Sequence, residues 1–174
     1  MSHHLLSQPA LCLVIASTGL VAAEIHQAAK AGDLGKVRDL LQKDPNSLNA
    51  KDPQGRSPLH AAAQAGAMEA ATLLVEKGAR VNATDARNTT PLHLATDGGH
   101  LATIRLLVEH GADLGATDAD GDTPLHYAAT RNHVHAVRLL AERGAKPNTL
   151  NKNNQTALHL AAQGGAKDAV AALV

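Results

Sequence analysis

Four tetrapeptides, Ser57-Pro58-Leu59-His60, Thr90-Pro91-Leu92-His93, Thr123-Pro124-Leu125-His126 and Thr156-Ala157-Leu158-His159, begin at positions 57, 90, 123 and 156, a constant step of 33 residues. Gly78, Gly111 and Gly144 keep that step, each followed by Ala. A weaker first copy starts near Glu24, where Ile25-His26 stand in for Leu59-His60 at a step of 34, because Asp44-Pro45-Asn46-Ser47 adds a residue to a turn. Self-similarity at this period means one supersecondary unit built several times, with each unit burying its apolar face on its neighbours.

The chemistry of one unit can be followed residue by residue. Ser or Thr is a good N-cap, Pro at the next position has no N–H to leave unpaired in the first turn, and His two further on can bond back toward the cap. A short Ala-rich helix therefore starts at each tetrapeptide, and its small side chains let neighbouring helices approach closely. Gly32, Gly66, Gly99, Asn132 and Gly165 then turn the chain; Asn is the non-glycine residue that best tolerates left-handed backbone. A second helix follows with apolar residues at helical spacing: Leu34, Val37, Leu40, Leu41; Met68, Ala71, Leu74, Val75; Leu101, Ile104, Leu107, Val108; and Val134, Val137, Leu140, Ala141. Gly78, Gly111 and Gly144 end these helices, and turn-rich segments such as Asp118-Ala119-Asp120-Gly121-Asp122 lead to the next cap.

The pattern resembles the ankyrin repeat family, whose T-P-L-H-x-A signature is met at residues 90–95 and 123–128 and nearly met at 57–62 and 156–161. The resemblance covers residues 24–174 and implies an all-α solenoid of stacked helix-turn-helix units with projecting β-hairpin loops. The repeats run at about 24–55, 56–88, 89–121, 122–154 and 155–174, the last one incomplete. Both ends depart from the pattern. Glu24 and Ile25 replace Pro and Leu, Ala23 is a poor N-cap, and Val170, Leu173 and Val174 are expected to lack a following layer.

Residues 9–23, PALCLVIASTGLVAA, form an uncharged apolar stretch, and the first charged side chains are Glu24 and Lys30. It is too short to span a hydrocarbon core, which takes about 20 helical residues, but it suits the h-region of a secretory signal, with Val21-Ala22-Ala23 as the cleavage site. Residues 1–23 are therefore expected to be a signal peptide of a bacterial type and the product periplasmic or secreted. An N-terminal capping helix in a cytoplasmic protein is the alternative, since residues 1–8 carry no Lys or Arg. Cys12 is the single cysteine, so no intramolecular disulfide forms.

Composition narrows the function. With 1% aromatic residues the core must come from Ala, Leu, Val and Ile, and 16 basic against 16 acidic residues, interspersed, argue against a nucleic-acid binder. The repeated His60, His93, His126 and His159 stand at a structural position. His100, His110 and His133 stand where ankyrin repeats commonly carry His, and His133 and His135 do not share a helix face, so a metal site is not expected. Asp118, Asp120 and Asp122 lack the glycine and glutamate spacing of a calcium loop and suit a turn. Asn88 and Asn154, both in glycosylation sequons as is Asn82, stand where the hairpin glycine falls and are expected to be turn residues. No phosphate loop, nucleophile elbow or HExxH motif is present, so neither catalysis nor a cofactor is expected.

What remains is a protein-binding surface. In ankyrin-like stacks the partner meets the hairpin tips and the exposed side of the first helices, and transfer onto positions that vary between these repeats selects Gln54, Arg56, Gln64, Arg87, Thr89, Asp97, Asp120, Asp122, Arg131, Lys152, Asn153 and Gln155. Arg56, Arg87 and Arg131 are the expected anchors of a polar, salt-sensitive contact. Tyr127 is expected to pack against the neighbouring first helix. The protein is expected to be a scaffold for another protein, monomeric unless its C-terminal end pairs, with no membrane attachment once the signal is removed. A fragment of a longer ankyrin repeat protein with its activity beyond residue 174 is the alternative.

Overall fold

The computed structural model describes residues 8–174, with side chains from residue 20 onward. Ten α-helices alternate along the described chain: α1 (Gln8–Ala31), α2 (Leu34–Lys43), α3 (Pro58–Ala65), α4 (Met68–Glu76), α5 (Pro91–Asp97), α6 (Leu101–Glu109), α7 (Pro124–Thr130), α8 (Val134–Glu142), α9 (Ala157–Gln163) and α10 (Lys167–Leu173). A 3-10 turn, Pro45–Asn49, takes up the extra residue after α2. The odd-numbered helices pack on one another as an inner row and the even-numbered ones as an outer row, the inner contacts being the more extensive. The all-α solenoid is therefore present.

One hydrogen-bonded unit recurs through the stack. Ser57, Thr90, Thr123 and Thr156 take extended backbone as N-caps, and each forms a capping box with the histidine three residues on. His60 Nδ1 accepts the Ser57 N–H at 3.0 Å, His93 Nδ1 that of Thr90 at 3.2 Å and His126 Nδ1 that of Thr123 at 3.1 Å. The opposite nitrogen of each ring reaches the next repeat. His60 Nε2 donates to the Thr89 carbonyl at 3.0 Å, His93 Nε2 to that of Asp122 at 3.0 Å and His126 Nε2 to that of Gln155 at 3.1 Å. These acceptors immediately precede the next N-cap, so one side chain fixes its own helix start and the position of the following one.

The core between the layers is aliphatic and small. Leu59, Leu92 and Leu125 from the inner helices and Leu74, Leu107 and Leu140 from the outer ones are at most 1% exposed, and Ala62, Ala95, Ala128 and Ala161 are fully buried between successive inner helices. Of the expected outer-helix stripes, Val37, Leu40, Ala71, Leu74, Ile104, Leu107, Val137 and Leu140 are buried. Met68 is 38% exposed, and Ala141 is exposed because its methyl is too short to reach the surface that Val75 and Val108 touch from the equivalent position. Val170 and Leu173 pack partly on the core while Val174 is exposed.

The left-handed positions fall where expected, including three without glycine: Asn88, Asn132 and Asn154 have φ of 59°, 54° and 57°. The projecting loops close as turns, with no strand among the described residues. Each is organised by its first side chain: Oδ1 of Asp52, Asp85, Asp118 and Asn151 accepts the backbone N–H groups two and four residues on, at 2.8–3.0 Å. Single backbone bonds then tie tip to tip: Ala86 N–H to Gln54 O, Ala119 N–H to Arg87 O and Lys152 N–H to Asp120 O. A Cβ on Gly121 would lie 2.9 Å from Lys152 N, so glycine is required at that approach.

At the N-terminal end α1 runs unbroken past residue 23, so Ala23 caps nothing in this chain. Residues 1–7 and the side chains up to residue 19, Cys12 among them, lie outside the described residues. Among the described residues no helix is long and apolar enough to cross a membrane.

Two predictions follow from the packing. Burial holds the His60 imidazole down at about 4 and pushes His93 down as well, against the carbonyl bonds, which favour protonation. Both groups bind protons more readily when unfolded, so their contribution is complete above about 6.5 and is lost as pH falls toward 4. Thermal unfolding should therefore give a Tm that drops across that window, and His60→Gln should flatten the drop while lowering Tm at neutral pH. Thr103 is 1% exposed and its hydroxyl has no partner among the described residues, whereas Ala70, Ala136 and Ala169 occupy the equivalent positions. Thr103→Ala should leave Tm unchanged or raise it, because it removes an unpaired buried hydroxyl worth about 1 kcal/mol.

Candidate interaction surface

The hairpin tips and the inner helices enclose a groove along one side of the stack. It widens into three clefts: about 570 Å³ between α1 and the first tip, about 470 Å³ between the first two tips and Tyr127, and about 250 Å³ around Thr130 and Arg131. Each tip is held rigid by the aspartate or asparagine described above, so the side chains between those anchors project from a fixed backbone.

Most of the positions picked from the sequence line this groove, and the structure brings them together in pairs that the sequence reading did not foresee. Arg56 bonds the Asp52 carboxylate at 2.9 Å and the side-chain oxygens of Gln54 and Gln64 at 3.2 Å each. Arg87 pairs with Asp120 at 2.8 Å, 33 residues away, and Arg131 with Asp97 at 2.7 Å, 34 residues away. Lys152 Nζ donates to the Ala119 carbonyl at 2.6 Å, and Asp122, half-buried, accepts from Asn151 Nδ2 at 2.8 Å. Asn153 is exposed at its tip and Gln155 half-buried. The three arginines are thus brackets within and between repeats before any partner arrives.

Two positions combine burial with a place on the groove. Thr89 borders the cleft between the first two tips but is 5% exposed, its N–H held by Asp85 and its carbonyl by His60, so it offers little surface to a partner. Tyr127 packs on the neighbouring repeat as expected, edge-on to His93 with ring centres 5.3 Å apart, yet it is half-buried and walls two of the three clefts. Its hydroxyl donates to Asp118 Oδ2 at 2.8 Å, and burial together with that carboxylate raises its pKa, so it stays a neutral donor. Asp118 serves the turn with one oxygen and Tyr127 with the other, the structural work foreseen for that acidic segment. Leu94, Ala61, Lys30 and Lys51 also line the groove and were not picked; the first two stand at the same repeat position as Tyr127, which was the signal available.

Partial burial acts to raise the Asp52 carboxyl, but the Arg56 N–H and guanidinium outweigh it and hold the group below its usual range. It therefore remains an anion locked onto Arg56, not a base in search of a proton. Among the described residues no group of three or more His, Cys, Asp or Glu side chains is placed to hold a metal ion.

A family model described as ankyrin repeats (3 copies) matches residues 25–118 and 111–174. The chain belongs to the ankyrin repeat family. Ankyrin repeats are protein-protein interaction modules. Among curated proteins, the transient receptor potential cation channel subfamily A member 1 homolog of Caenorhabditis elegans is 40% identical over 55 residues, which is 32% of this chain and 4% of that protein. The similarity is to one stretch of ankyrin repeats in a far longer chain.

The exposed pairs of this ankyrin stack should contribute little to its stability. Arg87 and Asp120 side chains are 69% and 60% exposed, so a double-mutant cycle with Arg87→Ala and Asp120→Ala should return a coupling of about 0.2–1 kcal/mol that fades at high salt. A coupling several times larger, insensitive to salt, would mean that the bracket is a structural element of the stack.

Proposed function

We propose that this ankyrin repeat protein is a non-enzymatic binding module whose partner lies in the groove between the hairpin tips and the inner helices. One observation carries the reading. The framework residues repeat almost unchanged, whereas the groove positions differ from repeat to repeat: Ala61, Leu94, Tyr127 and Leu160 on the inner helices, and Gln54, Arg87, Asp120 and Asn153 at the tips. A constant scaffold that holds a changing row of side chains is what recognition of one particular surface requires.

The contact is polar and modest. Groove arginines must exchange an internal carboxylate for the partner's, so the net gain per arginine is small, and affinity falls as salt rises. The uncharged stretch at residues 9–23 supports export to the periplasm or the medium, with cleavage after Ala23 leaving a protein that begins at Glu24.

Photo-crosslinking side chains placed at Ala86 and Asn153, in the groove, and at Arg105 and Arg138, on the outer helices, test the binding face in the native cell. The reading expects a discrete protein adduct from the groove positions alone. Equal adducts from both faces, or adducts from the outer helices only, would move the site elsewhere. The intact mass of the recovered protein decides export, since retention of residues 1–23 in the cytosol contradicts it.

A further inference from the structure

We infer that the cleft between α1 and the first hairpin docks an acidic segment of a partner protein, an extended peptide whose aspartate or glutamate side chains alternate with small apolar ones. The inference rests on the protein-binding reading and specifies the partner's chemistry at one end of the groove.

At the inner-helix position occupied by Leu94, Tyr127 and Leu160 in the later repeats, the first full repeat carries Ala61, which lines a cleft of about 570 Å³ between α3, α1 and the first tip. Ala61 gives it an apolar floor, which Ala22 and Ala23 extend as long as residues 1–23 are retained. The one aromatic ring in its lining, His26, is 9% exposed and hydrogen-bonded at both nitrogens, so it offers no open face on which a base could stack.

Its polar rim carries an excess of positive charge. Lys30, Lys51 and Arg56 face it with one carboxylate, Asp52, and that carboxylate is committed to Arg56 at 2.9 Å. The Lys30 ammonium makes no hydrogen bond or ion pair among the described residues, and Lys51 uses one donor on the Thr84 carbonyl at 2.5 Å, leaving two for a ligand. Gln64 accepts from Arg56 through its oxygen, and its amide donors make no bond among the described residues. The His26 ring is taken up by the Arg56 carbonyl at 2.8 Å and forms wall, not ligand contact. Lysines on opposite sides of an alanine floor suit carboxylates on alternate residues of an extended chain, whose successive side chains point in opposite directions. A single small anion would leave most of this volume unfilled.

The test uses the full chain and a fluorescein-labelled peptide of alternating Glu and Ala, read by anisotropy. Binding is expected to weaken as salt is raised, and the matching Lys-Ala peptide and a single-stranded oligonucleotide should bind at least about tenfold less well. Lys30→Glu combined with Lys51→Glu should weaken binding by at least about tenfold. Ala61→Tyr should do the same by obstructing the floor of the cleft, with Tm retained because Tyr127 already occupies the equivalent place. No binding by the unaltered protein, equal binding of the basic peptide or the oligonucleotide, or full binding by both variants overturns the inference. The crosslinks at Ala86 and Asn153 separate the two readings: if they persist while the acidic peptide fails, the module binds a protein of different chemistry, and if they fail too, the groove itself is not the site.

Discussion

The stack depends on a histidine that serves two repeats at once. Its Nδ1 closes the cap of its own inner helix and its Nε2 holds the carbonyl just ahead of the next cap, so helix start and repeat spacing are set by one rigid ring. Because the ring is buried and must be neutral, with hydrogen on Nε2 only, the same bond that gives regularity makes the stack sensitive to acid. At the two ends the device changes. His26 bonds the Arg56 carbonyl but, lacking a capping residue inside α1, turns its other nitrogen to the Ala22 carbonyl, while His159 keeps its box and is exposed.

With spacing fixed this way, the side chains that face the groove are released from any structural duty except local pairing. The tips illustrate the division of labour. Asp52, Asp85, Asp118 and Asn151 spend one oxygen each on the backbone of their own turn, and the residues between them are left to vary. Arginines then find carboxylates one repeat away, which keeps an otherwise charged surface nearly neutral along most of its length. The exception lies at the N-terminal end, where Lys30 and Lys51 border the cleft beside Ala61.

The repeat boundaries, the caps and the left-handed asparagines were legible in the sequence because each obeys a rule that acts within a few residues of chain. The pairing of Arg87 with Asp120 and of Arg131 with Asp97 was not read, although the offsets of 33 and 34 match the period; it required asking which variable positions stand beside one another in adjacent layers. Thr89 borders the groove at 5% exposure, because its backbone is locked by Asp85 and His60 and a short β-branched side chain stays close to it. Tyr127 packs on the neighbouring repeat as expected and is also groove wall, since a ring with a polar tip can bury one edge and show the other.

The most direct test of the shared-histidine account is the protonation state of the rings, read from long-range proton–nitrogen NMR correlations. The account predicts that His60, His93 and His126 all carry hydrogen on Nε2 and none on Nδ1. Rings of mixed tautomer, or with hydrogen on Nδ1, would contradict it, because neither the cap bond nor the bond to the next repeat could then exist as described.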